Sequence, residues 1–155
     1  MLKFSCMTIF MGADHRGLAL KNSLVEYLQN QNIRVEDLGA YEYDPDDDFP
    51  DFAKPVAEAV LQNPNSFLGI VICGSGVGVS IAANRHPQIY CGLGFDKKQV
   101  ESAKAHDHMN VLALPSDYLN FESAKEIVDI FIKTPLEKQR KYLRRLEKID
   151  KAEVR

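Results

Sequence analysis

Residues 67–80, FLGIVICGSGVGVS, join a fully apolar run to a loop of alternating glycines, and this stretch decides the fold class. The apolar run is typical of a strand that is buried on both faces of a sheet. Gly74, Gly76 and Gly78 let the backbone turn tightly and point successive N–H groups inward. A helical pattern follows, and its partly positive N-terminus favours an anion. The alternative is a tight strand-to-helix turn that holds no ligand.

Further strand-like runs alternate with helical patterns on both sides of this unit, at residues 8–13, 33–39, 89–95 and 110–114. Helical spacing is clear after the first run, where Leu20, Leu24 and Leu28 recur every four residues. Parallel strands need crossover connections, and helices usually supply them. The sequence therefore predicts an α/β fold, a Rossmann-like three-layer sandwich with a five-stranded parallel sheet, followed by C-terminal helices.

Two helices are predicted after the last strand, outside the repeating units. The first has an apolar face made of Ala124, Ile127, Val128 and Phe131. The last follows Pro135 and places Leu143, Leu146 and Ile149 on one side. Its other side is basic, which indicates either a solvated face or a clamp on a phosphate or carboxylate group reached from a neighbouring subunit.

The composition fits one compact domain. The chain has 155 residues, of which 45% are hydrophobic and 26% are charged, and this is enough for one core but too little for two domains. We expect a single domain over residues 7–150. Residues 1–6 are interpreted as a short N-terminal extension, because Met7 is an alternative start.

Charge and cysteine content argue against several classes of partner. The formal net charge is -3 and no long basic stretch precedes the C-terminus, which disfavours nucleic acid. The apolar N-terminal run is short and lacks a cleavage site, so we expect no signal peptide and no membrane span. Cys6, Cys73 and Cys91 fit neither a disulfide framework nor a metal knuckle. We therefore expect a cytoplasmic protein that binds a small molecule.

Cys73 differs from the other cysteines in its setting. It ends its predicted strand beside a helix N-terminus and a row of amides, a setting that favours the thiolate. It is therefore a candidate base or nucleophile. Cys6 and Cys91 are interpreted as small apolar residues, which is what most buried cysteines are.

Two other loops carry polar residues suited to a site. Asp14 and His15 follow the first strand, on the same rim of the sheet as Cys73. Asp14 either caps the next helix or contacts a ligand, whereas the His15 imidazole suits an anion. The segment AHDHMN at residues 105–110 adds two histidines. Their spacing does not match the four-residue separation of a helical metal pair, so we favour acid–base chemistry there.

Four motifs together resemble the ribose-5-phosphate isomerase B family, also called the RpiB/LacAB sugar-phosphate isomerases. They are GADHRG at 12–17, ICGSGVGVSIAAN at 72–84, AHDHMNVLA at 105–113 and KYLRRLEKI at 141–149. The resemblance extends from Met7 to about Ile149. It implies a Rossmann-like fold, isomerisation of an aldose phosphate and a ketose phosphate through a cis-enediol, and neither metal nor cofactor. It also implies homodimers or homotetramers with active sites shared between subunits.

The resemblance also implies individual roles. Cys73 would be the base that moves the proton between C2 and C1, with the Ser75 hydroxyl beside it, and His106 would assist opening of the sugar ring. The loop amides would hold the enediolate charge, His15 would contact the phosphate and Asp14 the sugar hydroxyls. Substrate contacts are thus expected at Asp14, His15, Gly74, Gly76, Val77, Gly78, Asp107, Lys141 and Arg145.

Five positions depart from the family pattern. They are Phe49 for tyrosine, Ser75 for threonine, Asp107 for asparagine, Asp117 for arginine and Lys141 for arginine. Lysine replaces a bidentate fork with a point charge, and the two aspartates add negative charge near the sugar phosphate. The altered positions bear on phosphate affinity and substrate size.

We therefore expect an aldose–ketose isomerase that interconverts ribose 5-phosphate and ribulose 5-phosphate in the pentose phosphate pathway. One alternative is an isomerase of a hexose 6-phosphate, such as galactose or allose 6-phosphate, because the altered basic positions gauge the distance from the phosphate to the reacting carbons. A non-catalytic sugar-phosphate-binding protein of the same fold is a second. A thiol-redox protein is disfavoured because Cys73 has no second cysteine nearby in sequence.

Overall fold

The structure is a computed structural model that describes residues 7–152, and within them a five-stranded sheet is flanked by helices. The strands are β1 (Thr8–Ala13), β2 (Arg34–Asp37), β3 (Phe67–Cys73), β4 (Cys91–Leu93) and β5 (Val111–Pro115). The helices are α1 (Leu18–Asn30), α2 (Pro50–Gln62), α3 (Val77–Ala83), α4 (Lys97–Asp107), α5 (Phe121–Lys133) and α6 (Arg140–Ala152). The strand order is β2-β1-β3-β5-β4, and every pair is parallel. The predicted fold class is confirmed.

Alternation along the central strands divides the core into two layers. In β3, Ile70 and Ile72 belong to the cluster covered by α1, α4 and α5, whereas Val71 and Cys73 belong to the cluster covered by α2 and α3. Successive strand side chains point to opposite faces, so one apolar run serves both layers. Burying each large aliphatic side chain contributes about 1.5–3 kcal/mol. The three-layer sandwich follows from this pattern.

The register of the sheet brings the carboxyl ends of three strands together. Ala13 of β1 pairs with Ile72 of β3, and Cys73 pairs with Pro115 of β5. The chain leaves β1 toward β2 on one side of the sheet and leaves β3 toward β4 on the other. In open α/β sheets, ligands bind at such a reversal of strand order, outside the carboxyl ends.

The last helix packs on the rest of the chain through an aromatic residue that was not predicted. It begins at Arg140 and buries Tyr142 and Leu146. Of the other two residues predicted on the side of Leu146, Leu143 is 38% exposed and Ile149 is 49% exposed within one chain. The helix rests on α4 through an aromatic side chain that a search for aliphatic spacing does not find. The predicted face of α5 is confirmed, since all four of its residues are buried.

The strand at 89–95 is shorter than its strand-like run. It forms β4, which spans three residues, lies at the sheet edge and is half-buried. Helix α2 starts at Pro50, because the fixed φ of proline suits the first turn of a helix.

The proposed N-terminal extension, residues 1–6, lies outside the described residues. Over the described part of the chain, none of the helices has the length and apolar character needed to cross a bilayer.

Candidate active site

Cys73 and the glycine loop lie outside the carboxyl ends of β1 and β3, where the reversal of strand order in an open α/β sheet forms the ligand crevice. Cys73 is 5% exposed and is the last residue of β3. The neighbouring backbone is tied to the end of β5, because Ser116 N donates to Cys73 O at 3.0 Å and Asp117 N donates to Gly74 O at 3.0 Å. The thiol therefore lies at the boundary between the core and the crevice, on a backbone fixed from two strands.

The loop glycines are required for different reasons. Gly76 has a φ of 72° and precedes the first residue of α3, and a Cβ there would lie 2.5 Å from the Leu93 side chain. At Gly78 the Phe49 ring leaves no room for a side chain. Three ring atoms lie 2.9 to 3.0 Å from the position that a Cβ would take. Part of the predicted anion loop is thus shaped by packing. Val77 N donates to Ser75 Oγ at 3.2 Å.

Asp14 holds the turn between β1 and α1. It is 6% exposed, and its Oδ1 accepts hydrogen bonds from Arg16 N and Gly17 N, both at 3.0 Å. Arg16 and Gly17 precede Leu18, the first residue of α1, and the N-cap position, Gly17, has no side-chain cap. Asp14 thus stabilises the turn before the helix and does not occupy the N-cap position, and a contact with sugar hydroxyls stays a prediction.

His15 is held by a carboxylate from the loop between β2 and α2. Its Nδ1 lies 2.6 Å from Asp47 Oδ1, and its backbone N donates to the same oxygen at 3.2 Å. This hydrogen bond with Asp47 is the main cause that raises the pKa of His15 above its ordinary 6.5. Tyr43 packs edge-on against the imidazole, with 5.8 Å between ring centroids. His15 is thus prepared to carry positive charge at the crevice.

Asp14, His15 and Asp47 each offer a ligand atom within 4.8 Å of the others, as a metal site would. His15 Nδ1 and Asp47 Oδ1 lie at hydrogen-bond distance, 2.6 Å, so in this structure the two groups are paired with each other. The second oxygen, Asp47 Oδ2, is buried and has no hydrogen-bond partner among the described residues.

Sequence reasoning missed one pair at the crevice, Arg16 and Asp117. Arg16 Nη2 forms an ion pair with Asp117 Oδ2, between the loops that follow β1 and β5. The departure from the family pattern at Asp117 predicts an added negative charge at the site. In the structure, Arg16 compensates that charge. The two residues are 101 positions apart, so local spacing offers no signal of their contact.

A second cluster gathers the remaining predicted residues on α4 and α6. The His106 ring stacks on Tyr142, with centroids 4.3 Å apart and an interplanar angle of 10°. Lys141 Nζ lies 4.8 Å and Arg145 Cζ 6.0 Å from the centroid of the same Tyr142 ring. His106 Nε2 is 3.5 Å from Glu137 Oε1. The stacking explains why Tyr142 is buried, and it joins His106 to the basic residues of the last helix.

The two clusters lie at opposite edges of the sheet. Helix α4 starts after β4 at the carboxyl edge and returns to the amino edge, where His106 lies near its C-terminus. The Tyr90 hydroxyl before β4 donates to Asp150 at 2.7 Å, so α6 also ends near the amino edge. Five residues of β5 span roughly 16 Å between the edges. Within one chain, His106, Lys141 and Arg145 are therefore not brought to Cys73.

Asp107 and Cys91 meet at a cavity of about 350 Å³ that Ile149 also lines. Asp107 is exposed and forms no ion pair with any residue from 7 to 152. Burial raises the pKa of the Cys91 thiol to about 12, which keeps it neutral at physiological pH, in agreement with its interpretation as an apolar residue.

Comparison with known proteins agrees with this architecture. The family model described as Ribose/Galactose Isomerase matches residues 9–149. A probable ribose-5-phosphate isomerase B from Mycoplasma genitalium is 42% identical over 141 residues, which are 91% of this chain and 92% of that protein. The corresponding protein from Mycoplasma pneumoniae is 44% identical over 129 residues, covering 83% of this chain and 84% of the relative.

Solved structures are equally similar. The crystal structure of ribose-5-phosphate isomerase B from Mycoplasma genitalium with bound ribulose-5-phosphate has a TM-score of 0.91 and 40% identity, covering 95% of this chain and 96% of that one. The enzyme from Thermotoga maritima gives a TM-score of 0.89 at 38% identity, with 94% and 98% covered. The match extends over both clusters and the sheet between them, and the chain belongs to the ribose/galactose isomerase family of the ribose-5-phosphate isomerase B type.

Proposed function

We propose that the protein interconverts ribose 5-phosphate and ribulose 5-phosphate in the cytoplasm, as an enzyme that needs neither metal nor cofactor. The observation that carries the proposal is the meeting of Cys73, the glycine loop and a histidine of raised pKa at one crevice. Family membership supports the same chemistry, and the relative that contains ribulose-5-phosphate supports a pentose as the substrate.

In the proposed reaction, the open-chain aldose lies with C2 near the Cys73 thiolate. The sulfur takes the proton from C2 and the C1 carbonyl oxygen becomes the enediolate oxygen. Return of that proton from the sulfur to C1, with transfer of the O2 proton to O1, gives the ketose and restores the base. A positioned base contributes about 10²- to 10⁴-fold, and each fixed donor to the oxyanion about 10²- to 10³-fold. The amides of Gly74 to Gly78 and the Ser75 hydroxyl supply the donors.

Ring opening and part of the phosphate binding are assigned to a second copy of the chain. The proposal is a homodimer or homotetramer in which the His106, Lys141 and Arg145 cluster of one copy faces the Cys73 crevice of another. The separation of the two clusters within one chain supports it. Val77 is 47% exposed and Ile81 is 56% exposed, and these neighbours on α3 give the second copy an apolar surface beside the crevice.

The direct test is turnover of purified protein on ribose 5-phosphate, followed by the appearance of ribulose 5-phosphate. Allose 6-phosphate and galactose 6-phosphate are measured in parallel. We expect kcat/KM for the pentose to exceed that for either hexose at least about tenfold, since a misplaced phosphate forfeits a charged contact. Faster turnover of a hexose phosphate would assign the longer substrate instead, and tight binding without turnover would indicate a sugar-phosphate-binding protein.

A further inference from the structure

Both backbone groups of Arg16, the N–H and the carbonyl, form hydrogen bonds with side chains. Its N–H donates to Asp14 Oδ1 at 3.0 Å, and its carbonyl accepts a hydrogen bond from Ser116 Oγ at 3.0 Å. The same hydroxyl lies 3.1 Å from Cys73 O. Three loops, those after β1, β3 and β5, therefore hold this residue in place at the crevice. A residue fixed in this way presents its side chain in a defined direction.

The side chain of Arg16 lies across Gly74, the residue after Cys73. A Cβ on Gly74 would come within 2.5 Å of Arg16 Nε and 2.8 Å of Asp117 Oδ2. The ion pair thus occupies the space in which any other residue at position 74 would place its side chain. Arg16 and Asp117 are brought directly over the loop that the proposed function assigns to the substrate.

Stability alone is a weak reason for this pair. The Arg16 side chain is 57% exposed and that of Asp117 is 37% exposed, and exposed ion pairs contribute little to the stability of a fold. Guanidinium has five N–H donors, and the contact with Asp117 Oδ2 engages Nη2 alone among them. Since the side chain is 57% exposed, its remaining donors are accessible to a ligand.

The exposure of these groups indicates which end of a substrate they meet. The reacting carbons must reach Cys73, which is 5% exposed, whereas the charged end of the molecule can lie outward. His15 and Arg16 are adjacent, but His15 is held on the β2 side by Asp47 and Arg16 on the β5 side by Asp117. The two side chains therefore flank the opening from either side, as two cations around one dianion would.

We propose that Arg16 binds the phosphate group of the substrate, and that Asp117 is the positioning residue that holds the guanidinium over Gly74. The proposal rests on the proposed function for the identity of the substrate. Phosphate is recognised well by arginine because the planar fork matches two phosphate oxygens. The negative charge of Asp117 is then tolerated at the site only while Arg16 is present.

The test measures binding of ribose 5-phosphate and of inorganic phosphate by titration calorimetry, together with turnover. We expect Arg16→Gln to weaken both ligands by about 10- to 100-fold and to raise KM for ribose 5-phosphate with a small change in kcat. Arg34→Gln is the matched control, because Arg34 forms an exposed ion pair with Glu36 at 2.7 Å on the edge strand β2. It should leave both affinities unchanged.

The double variant separates phosphate binding from a purely structural role. In Arg16→Gln, the unpaired Asp117 carboxylate repels the ligand, so adding Asp117→Asn should restore about tenfold of the lost affinity. Unchanged affinity for inorganic phosphate in Arg16→Gln would overturn the proposal, as would equal losses in single and double variants. If the wild-type protein binds phosphate through Arg16 but turns over no sugar, the proposed function fails while this inference stands.

Discussion

A mixture of two inactive variants should recover activity, because each active site is proposed to combine two chains. Cys73→Ala removes the base from one half, and His106→Ala removes the ring-opening residue from the other. The roughly 16 Å length of β5 separates the two edges of the sheet on which these residues lie. In a mixed dimer, one site receives both defects and the other receives neither.

The expected recovery follows from counting. When equal amounts of the two variants exchange subunits at random, about half of the dimers are mixed, and each has one intact site of two, giving about a quarter of wild-type activity. The assay is ribose 5-phosphate turnover after co-expression with two affinity tags. The matched control is a mixture of Cys73→Ala with His15→Ala. Both residues belong to the crevice side of the site, so each site of a mixed dimer carries one of the two defects and none is intact.

The control and the test mixture must therefore differ. Recovery of about a quarter of the activity with His106→Ala, and none with His15→Ala, is the expected pattern. No recovery in the first mixture would refute the shared site. Equal recovery in both mixtures would refute the division of the residues into these two halves.

Three further changes probe the groups around the crevice and the core. Asp47→Asn should lower the pKa of His15, because the hydrogen bond with Asp47 raises it. The stability that this pair contributes is present below pH 6.5 and is lost as pH rises through the folded pKa. In urea unfolding, the variant should therefore lose more stability at pH 6 than at pH 9, and an equal loss at both would oppose the assignment. Gly76→Ala forces a Cβ onto a residue with φ of 72° and against Leu93, so the free energy of unfolding should fall by about 1–3 kcal/mol, and an unchanged midpoint would count against the strain. Burial lowers the pKa of Lys104 to about 8 from 10.5. Between these two pH values the unfolded chain binds more protons than the folded one, so stability should rise with pH by at most about 3 kcal/mol. Lys104→Met should flatten that rise.

The sheet was predictable because its signal is local and strong. Each strand of the interior is a continuous apolar run bounded by glycine or polar residues, and helical spacing between runs leaves one topology class. The length of the edge strand β4 was harder to predict. It pairs with a neighbour on one side alone, which shortens the strand without changing its composition. The last helix was predicted, but its contact through Tyr142 was not, because Tyr142 stacks on His106 and is not part of the aliphatic spacing.

The site was predictable where one short motif contains the residues. Cys73 ends β3, Gly76 lies in the loop after it and His15 lies in the loop after β1, so their place at the carboxyl edge follows from the topology. Asp47 and Arg16 were not found, because their contacts join loops that are distant in sequence and polar loop residues have no periodicity. Predicting that His106 lies at the edge of the sheet opposite Cys73 likewise requires the path of α4, and the spacing of residues along the chain does not give that path.

The central claim is that Cys73 removes the proton from C2 of the opened sugar. The most direct measurement compares kcat and the dissociation constant for ribose 5-phosphate between the wild type, Cys73→Ala and the control Cys91→Ala. We expect Cys73→Ala to lose about 10²- to 10⁴-fold in kcat while binding the substrate within about threefold of the wild type, and Cys91→Ala to keep its kcat. A Cys73→Ala protein whose kcat falls less than about tenfold would contradict the account.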